Sequence, residues 1–327
     1  MLAPPARIAR ADAHDRSTVL TLLSEHTPGT DVVRRHAWLY ESNPHGPAVT
    51  FLAYDDDGTP MGLTSLFPRR VLVKGEVRIG AIGGDGYVRP AYRRRGVATA
   101  LHRACLALME ENLRAGEGVE FMYGAPEPHN LGALERAGSR TITRLRRYGR
   151  SGPIQSIFRL GGALRRQKRT HLDALDGADP RVTRVFAEAA LNAAILPMRD
   201  PAQYAWRFRA PSRAQHGFAV IEDNAVVALC ALERKGSTVA LIDLLAPHDR
   251  WSATLRGAAN AAGGETLTTI TTDGSSAATD LVCAGFLPRE SKGFQILAPD
   301  THPRLATLLD PGSWHYVWAD GDLDHVL

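Results

Sequence analysis

The segment Val88-Arg89-Pro90-Ala91-Tyr92-Arg93-Arg94-Arg95-Gly96-Val97-Ala98-Thr99-Ala100-Leu101 concentrates the residue types that hold a phosphate. An apolar run ends at Val88, a basic loop with one glycine follows, and an Ala/Leu-rich stretch opens. The first N–H groups of a helix have no intrahelical partner. A helix start therefore binds anions, and its dipole adds about 0.3–1 kcal/mol near the surface. Gly96 lets the backbone approach a ligand with no Cβ in the way, and Ala98 keeps the next turn small. Arg93, Arg94 and Arg95 supply charge-assisted hydrogen bonds.

Such a loop needs a strand before it and a helix after it. The pattern predicts a strand near 7–10, helices over 15–24 and 31–40, and strands near 49–54, 60–73 and 76–88. A helix is predicted over 96–115, free of internal glycine. Its stripe Leu101, Ala104, Cys105, Leu108 and Met109 has helical spacing and reads as core. A strand at 119–123 and a short helix ending at Ala137-Gly138 close the series.

The chain then repeats itself. Ala37-Trp38-Leu39-Tyr40 parallels Ala205-Trp206-Arg207-Phe208, and each is followed by a hairpin with an acidic turn. Gly84-Asp85-Gly86-Tyr87-Val88 parallels Ile242-Asp243-Leu244-Leu245-Ala246. A helix, a strand (119–123 or 266–271), a helix and a glycine (Gly138 or Gly285) follow in both copies. The shared order predicts two related lobes: 1–150, a basic linker 151–179, and 180–327.

The pattern Arg93-x-x-Gly96-x-Ala98 between a strand and an Ala/Leu helix resembles the pyrophosphate motif of the GNAT superfamily of acyl-CoA-dependent N-acyltransferases. Asn130-Leu131-Gly132-Ala133-Leu134-Glu135-Arg136-Ala137-Gly138 resembles its second signature, in which an Asn opens a helix beside the cofactor. The resemblance spans about 5–150, and 180–297 by repeat order. It implies an α/β (α+β) fold of two GNAT-like lobes, each a mixed, mostly antiparallel sheet flanked by helices. It also implies acetyl-CoA or another acyl-CoA as co-substrate. The acyl-CoA would lie in a V between the strand ending at Val88 and the strand 119–124. Tyr87, Val88 and Arg89 would pair with the pantetheine arm, and the amides of Arg94, Arg95, Gly96, Val97, Ala98 and Thr99 would hold the pyrophosphate, with Asn130 alongside.

An amine would then attack the thioester, with its acceptor expected to be a small molecule. Positioning and amides aimed at the oxyanion would supply much of the rate. The resemblance assigns the general acid to a tyrosine where this sequence has Leu134. It places Asp85 where a carboxylate often acts as base or binds the amine. Asp85 ranks first as base, ahead of His129, whose neutral imidazole suits the task, and Glu127. Tyr123 is the remaining candidate, read against a core or rim role. The echo of Asp85 in Asp243 leaves a structural role open for both. The second lobe has Pro247-His248-Asp249-Arg250 where the phosphate loop should be. One cofactor site is therefore expected, with the second lobe as a buttress and a wall of the amine pocket.

Composition excludes other classes. Of 327 residues, 44% are hydrophobic and 23% charged, as in ordinary globular proteins. No apolar run approaches the roughly 20 residues of a membrane span, and Met1 to Asp15 lack the apolar core of a signal peptide. A cytoplasmic enzyme is expected. Cys105, Cys230 and Cys283 are too few and too scattered for a disulfide framework or a zinc site. His102 and Cys105 read as packing, and Asp320, Asp322 and Asp324 lack calcium-loop spacing, so no metal is expected. From Arg140 to Arg169 there are ten Lys/Arg and no acid, against a net charge of +4. That run could serve phosphate, anionic lipid or nucleic acid, or be a solvated face; nucleic acid is the least favoured. Ile154 to Arg166 reads as packing between lobes ahead of a membrane-surface helix. Trp314 to Trp318 could stack on sugar or bases, but alternates like a half-buried strand, so core or lobe-interface packing is expected. A non-catalytic acyl-CoA-binding protein is the alternative.

Overall fold

The computed structural model describes residues 7–152, 170–175, 179–211, 214–247 and 250–321. They form two compact units. The first takes in Met1–Val71, Val77–Ile142 and Gly293–Leu309, and the second Leu72–Glu76, Thr143–Lys292 and Asp310–Leu327. The repeat pattern suggests a single cut between 150 and 179. The units are instead discontinuous in the chain, dividing within the strands 140–150 and 287–297.

In the first unit, β1 (Arg7–Arg10), β2 (Val49–Tyr54) and β3 (Pro60–Val73) run antiparallel, followed by β4 (Glu76–Val88). β5 (Phe121–Gly124) joins β4 in parallel, Gly80–Ile82 facing Phe121–Tyr123. The Gly293–Leu297 end of the last strand then pairs with β5, with Gln295 opposite Gly124. Helices α1 (Arg16–His26), α2 (Val32–His36), α3 (Val97–Ala115) and α4 (Pro128–Arg136) complete the unit. α2 runs into a π-helical turn, Ala37–Glu41.

The apolar stripe of α3 is core, as its spacing predicts. Leu101, Cys105 and Met109 are buried with Phe51, Leu66, Ala81, Met122 and Leu134, and Ala104 and Leu108 pack against them. Burial without a partner charge pushes the Cys105 thiol up to about 12, so it is an inert hydrophobe.

In the second unit the strand order is β6 (Arg140–Arg150), β12 (Thr266–Thr272), β11 (Thr238–Leu245), β10 (Ala225–Lys235), β9 (Gln215–Glu222) and β7 (Thr170–Ala174). A short β8 (Ile195–Pro197) precedes β9, and β13 (Leu287–Leu297) follows β12. β11 and β12 are parallel over Thr238–Ala240 and Thr266–Thr268, and the other pairs in this order are antiparallel. α5 (Arg181–Ala190) and α6 (Pro201–Arg207) contribute to one apolar cluster. α7 (Trp251–Ala262) and α8 (Ser276–Cys283) contribute to another.

Two sequence expectations change here. Trp314 to Trp318 is no strand. Trp314, Tyr316, Val317 and Trp318 are all buried, around a 3-10 turn at Trp318–Asp320, and burial on every side removes the need for alternation. The described part of the basic run is strand β6, and its arginines are engaged. Arg146 clasps Asp273 through Nε and Nη2 at 2.7 and 2.8 Å, and Arg147 meets Glu290 at 2.6 Å. Arg144 donates to Ser291, and Arg150 donates to the Ala284 carbonyl and lies over Phe286. Arg140 pairs with Asp300 in the first unit. Residues 153–169, which include the whole Ile154 to Arg166 segment, lie outside the described residues, as do His248, Asp249, Asp322 and Asp324.

Candidate acyl-CoA site

β4 leaves β5 after a short parallel pairing. The register ends at Ile82 and Tyr123, and β4 runs on to Val88. Beyond that pairing β5 ends at Gly124, while β4 runs on and feeds the basic loop. A 3-10 turn, Pro90–Tyr92, leads to Arg93, and α3 begins at Val97. Arg94 (φ +62°) and Gly96 (φ +83°) both take the left-handed conformation. Alternation of this kind turns successive N–H groups to one side, forming a concavity for an anion. Residues 93–96 are exposed. A Cβ on Gly96 would meet nothing within 4 Å, so the glycine is required by its φ, not by protein packing. No side chain caps α3, and its first backbone bond is Ala100 N–H to Gly96 O. The amides of residues 97–99 are left for a ligand.

Side chains shape the loop more than they reach out of it. Arg89 clasps Glu25 through Nε (2.9 Å) and Nη2 (2.7 Å), and its Nη1 donates to the Pro60 carbonyl. The Arg89 hydrogen bond is the main cause of the depressed Glu25 pKa. Tyr87 also donates to Glu25. Arg93 Nε folds back on the Val88 carbonyl at 2.9 Å, Tyr92 donates to Asp55, and Arg95 lies over the Tyr92 ring. Tyr87, Val88 and Arg89 are half-buried, and the Arg89 N–H donates to the Met61 carbonyl at 2.9 Å.

The candidate catalytic residues fall in three kinds of place. Glu127 and His129 are exposed, at the start of α4, with Glu127 as its N-cap residue. Tyr123 is 1% exposed inside the sheet, its ring 6.1 Å from Phe121. Leu134, at the position of the expected tyrosine, is buried in the core and has no hydroxyl to offer.

Asp85 is in the third kind of place. It is buried, at φ +52°, and both its oxygens are taken. Arg35 Nη1 and Nη2 donate to Oδ2 and Oδ1 at 2.6 and 3.0 Å, and the Tyr40 hydroxyl donates to Oδ2 at 2.5 Å. Burial, and then the Asp85 charge, hold the Tyr40 hydroxyl well above its ordinary pKa, so Tyr40 is a neutral donor.

The second unit repeats the arrangement. Asp243 accepts from Arg199 Nε and Nη2 at 3.2 and 2.9 Å and from the Tyr204 hydroxyl at 2.5 Å. Arg and Tyr stand five positions apart in both copies. Arg199 also pairs with Asp320. Burial alone would raise the Asp243 pKa, but Arg199 outweighs it and holds the carboxyl at about 2. The unfolded value is about 3.9. The stabilisation is therefore complete above about pH 4 and lost as pH falls toward 2. Denaturant unfolding of the second unit followed from pH 5 to pH 2 should show that loss, and Asp243→Asn should reduce it.

Sequence comparison found the shared Asp but missed its partners. The Trp motif sets Tyr40 opposite Phe208, whereas the contacts set Tyr40 opposite Tyr204, one helical turn earlier. The equal Arg-to-Tyr spacing was the available signal.

The second unit also has diverging strands, β11 and β12, but its own chain lies on them. The Trp318–Asp320 turn packs on both strands, and His315 Nε2 lies 3.1 Å from the Leu244 carbonyl. The His315 ring meets Trp251, the first residue of α7, edge-on at 5.6 Å. Thr269 Oγ1 donates to Leu241 O, where the strands part.

Residues 18–136 match the Acetyltransferase (GNAT) family, and this stretch is a GNAT acetyltransferase domain. No curated protein matches the chain in sequence. Solved structures share its mixed α/β fold. A probable N-acyltransferase of unknown function from Enterococcus faecalis is 14% identical, with TM-score 0.66, covering 90% of this chain and 73% of that one. A GCN5-related N-acetyltransferase from Anabaena variabilis is 12% identical, with TM-score 0.65, covering 89% and 72%. Another from Kribbella flavida is 15% identical, with TM-score 0.62, covering 90% and 71%. Among the described residues, no helix is long and apolar enough to cross a membrane, and no group of three or more His, Cys, Asp or Glu could hold a metal.

Proposed function

We propose that the protein is an acyl-CoA-dependent N-acyltransferase. It binds one acyl-CoA in the first unit and passes the acyl group, acetyl in the simplest case, to the primary amine of a small molecule. The observation that carries this reading is the exposed loop 93–96, with its two left-handed residues, opening α3 after β4 has run past its pairing with β5. The residues present suit a pyrophosphate: amides without intrahelical partners, a glycine with open space beside it, and surrounding arginines.

Acyl-CoA would supply an activated thioester. The amine forms the C–N bond, the C–S bond breaks, and the thiolate leaves to be protonated. The chain's part is to hold the arm along Tyr87–Arg89, to fix the phosphates at residues 94–99, and to accept the ammonium proton. Asp85 could serve as base only by giving up its Arg35 and Tyr40 hydrogen bonds, so we assign it to holding the β4 backbone. His129 and Glu127, exposed beside Asn130, are then the candidate bases. With leucine at 134, solvent protonates the thiolate.

The buried Leu134 also favours a second reading, a non-catalytic acyl-CoA-binding protein. A mass-spectrometric screen of small amines with acetyl-CoA and longer acyl-CoAs separates the two. Acylated amine is expected with at least one pair. Tight acyl-CoA binding with no product from any amine would favour the second reading.

A further inference from the structure

His102 is a buried titratable side chain that the mechanism above does not use. It lies on α3, one turn after Thr99, and is 4% exposed. Its Nε2 sits 3.3 Å from Asn130 Oδ1, on the first turn of α4. Its Nδ1 is buried and has no hydrogen-bond partner among the described residues. Burial lowers its pKa, so the ring is neutral near pH 7 and carries a single N–H.

A carboxamide can be turned over without changing its shape, exchanging two donors for an acceptor. The neighbours decide which way it faces. Asn130 Oδ1 is turned to His102, which requires the hydrogen on Nε2. The Asn130 amino group then points the other way. A Cβ placed on Gly86 would lie 3.5 Å from Asn130 Nδ2 and 3.8 Å from Thr64 Oγ1, so Nδ2 faces β4 at Gly86. Gly86 is exposed, beyond the point where β4 and β5 part. Asn130 and Leu134 are one turn apart on α4, and Leu134 is apolar and buried. On this face of α4 the polar function therefore falls to Asn130.

We propose that His102 is a positioning residue: its Nε2–H locks the Asn130 carboxamide with the amino group toward Gly86, ready to donate to a carbonyl of the acyl-pantetheine arm. The inference rests on the acyl-CoA reading above and goes beyond it by naming the group that orients Asn130.

The test is calorimetry with acetyl-CoA on the full chain. His102→Leu removes the donor and frees the amide to flip, so affinity should fall about three- to tenfold. His102→Gln keeps a side-chain N–H for Asn130 Oδ1 and should restore most of that loss. In an Asn130→Ala background, His102→Leu should have no further effect. If His102→Leu does not fold, the imidazole nitrogen resonances of the wild type decide: Nε2–H is expected, and Nδ1–H overturns the proposal. A wild type that binds acetyl-CoA, with His102→Leu binding equally well, overturns this proposal alone. A wild type that binds no acyl-CoA overturns the acyl-CoA reading and this proposal together.

Discussion

Asp85→Asn should destabilise the first unit by about 3–5 kcal/mol, because it leaves the Arg35 guanidinium buried without its counter-charge. Asn has nearly the shape of Asp and can still accept from Tyr40, so the loss is one of charge, not of packing. Asp243→Asn should also destabilise the second unit, since Arg199 is equally buried, but by less, because Asp320 still faces Arg199. That control matters, because the second unit has the sequence Pro247-His248-Asp249-Arg250 in place of the basic loop and lays its own chain over the diverging strands. A carboxylate kept there with the same Arg and Tyr partners is serving the fold. Loss of a general base, by contrast, typically costs about 10²–10⁴ in rate and leaves stability alone. Urea unfolding of both variants separates the roles. An Asp85→Asn protein as stable as wild type, with turnover lost, would restore Asp85 as the base.

Gly96→Asp should remove acyl-CoA binding while α3 stays folded. At φ +83° any L-residue costs about 1–2 kcal/mol, but a Cβ there meets no protein atom. The unit should tolerate that cost. The new carboxylate would stand at the helix start, where the amides attract it and a pyrophosphate would have to enter. Two unit charges about 4 Å apart interact by about 4 kcal/mol at an effective dielectric near 20. An affinity loss of roughly thirty- to a thousandfold is therefore expected, measured by calorimetry with a circular dichroism check on helix content. Unchanged affinity would remove the loop from the site.

What could be read in the sequence was what lies contiguous in it. The proposed phosphate loop is a strand end, a bend and a helix start in one run of chain, so Val88 to Leu101 gives that local geometry unaided. The elements of the first unit follow from apolar spacing and turns, and β2, β3 and β4 have the limits their patterns predict. What joins distant stretches stayed hidden. Arg35 and Asp85 are fifty residues apart, and a lone Arg on a short helix gives no sign of its partner. Strand β6 was concealed because its arginines take their partners from 273–300, leaving the segment to look like a free basic run. The alternation at 314–318 pointed to core packing, and Trp314, Tyr316, Val317 and Trp318 are buried, but only a single bridge, Ile195 to Trp314, has strand character.

The central claim is one acyl-CoA site, built on the loop 93–96 of the first unit. Titration calorimetry of the intact chain with acetyl-CoA, with CoA in parallel, tests it most directly. One site per chain is expected, and Gly96→Asp should abolish it. Two equivalent sites would mean that the second unit binds as well, despite Leu244 and Trp251 being covered by His315. No heat with CoA or any acyl-CoA would contradict the account at its root.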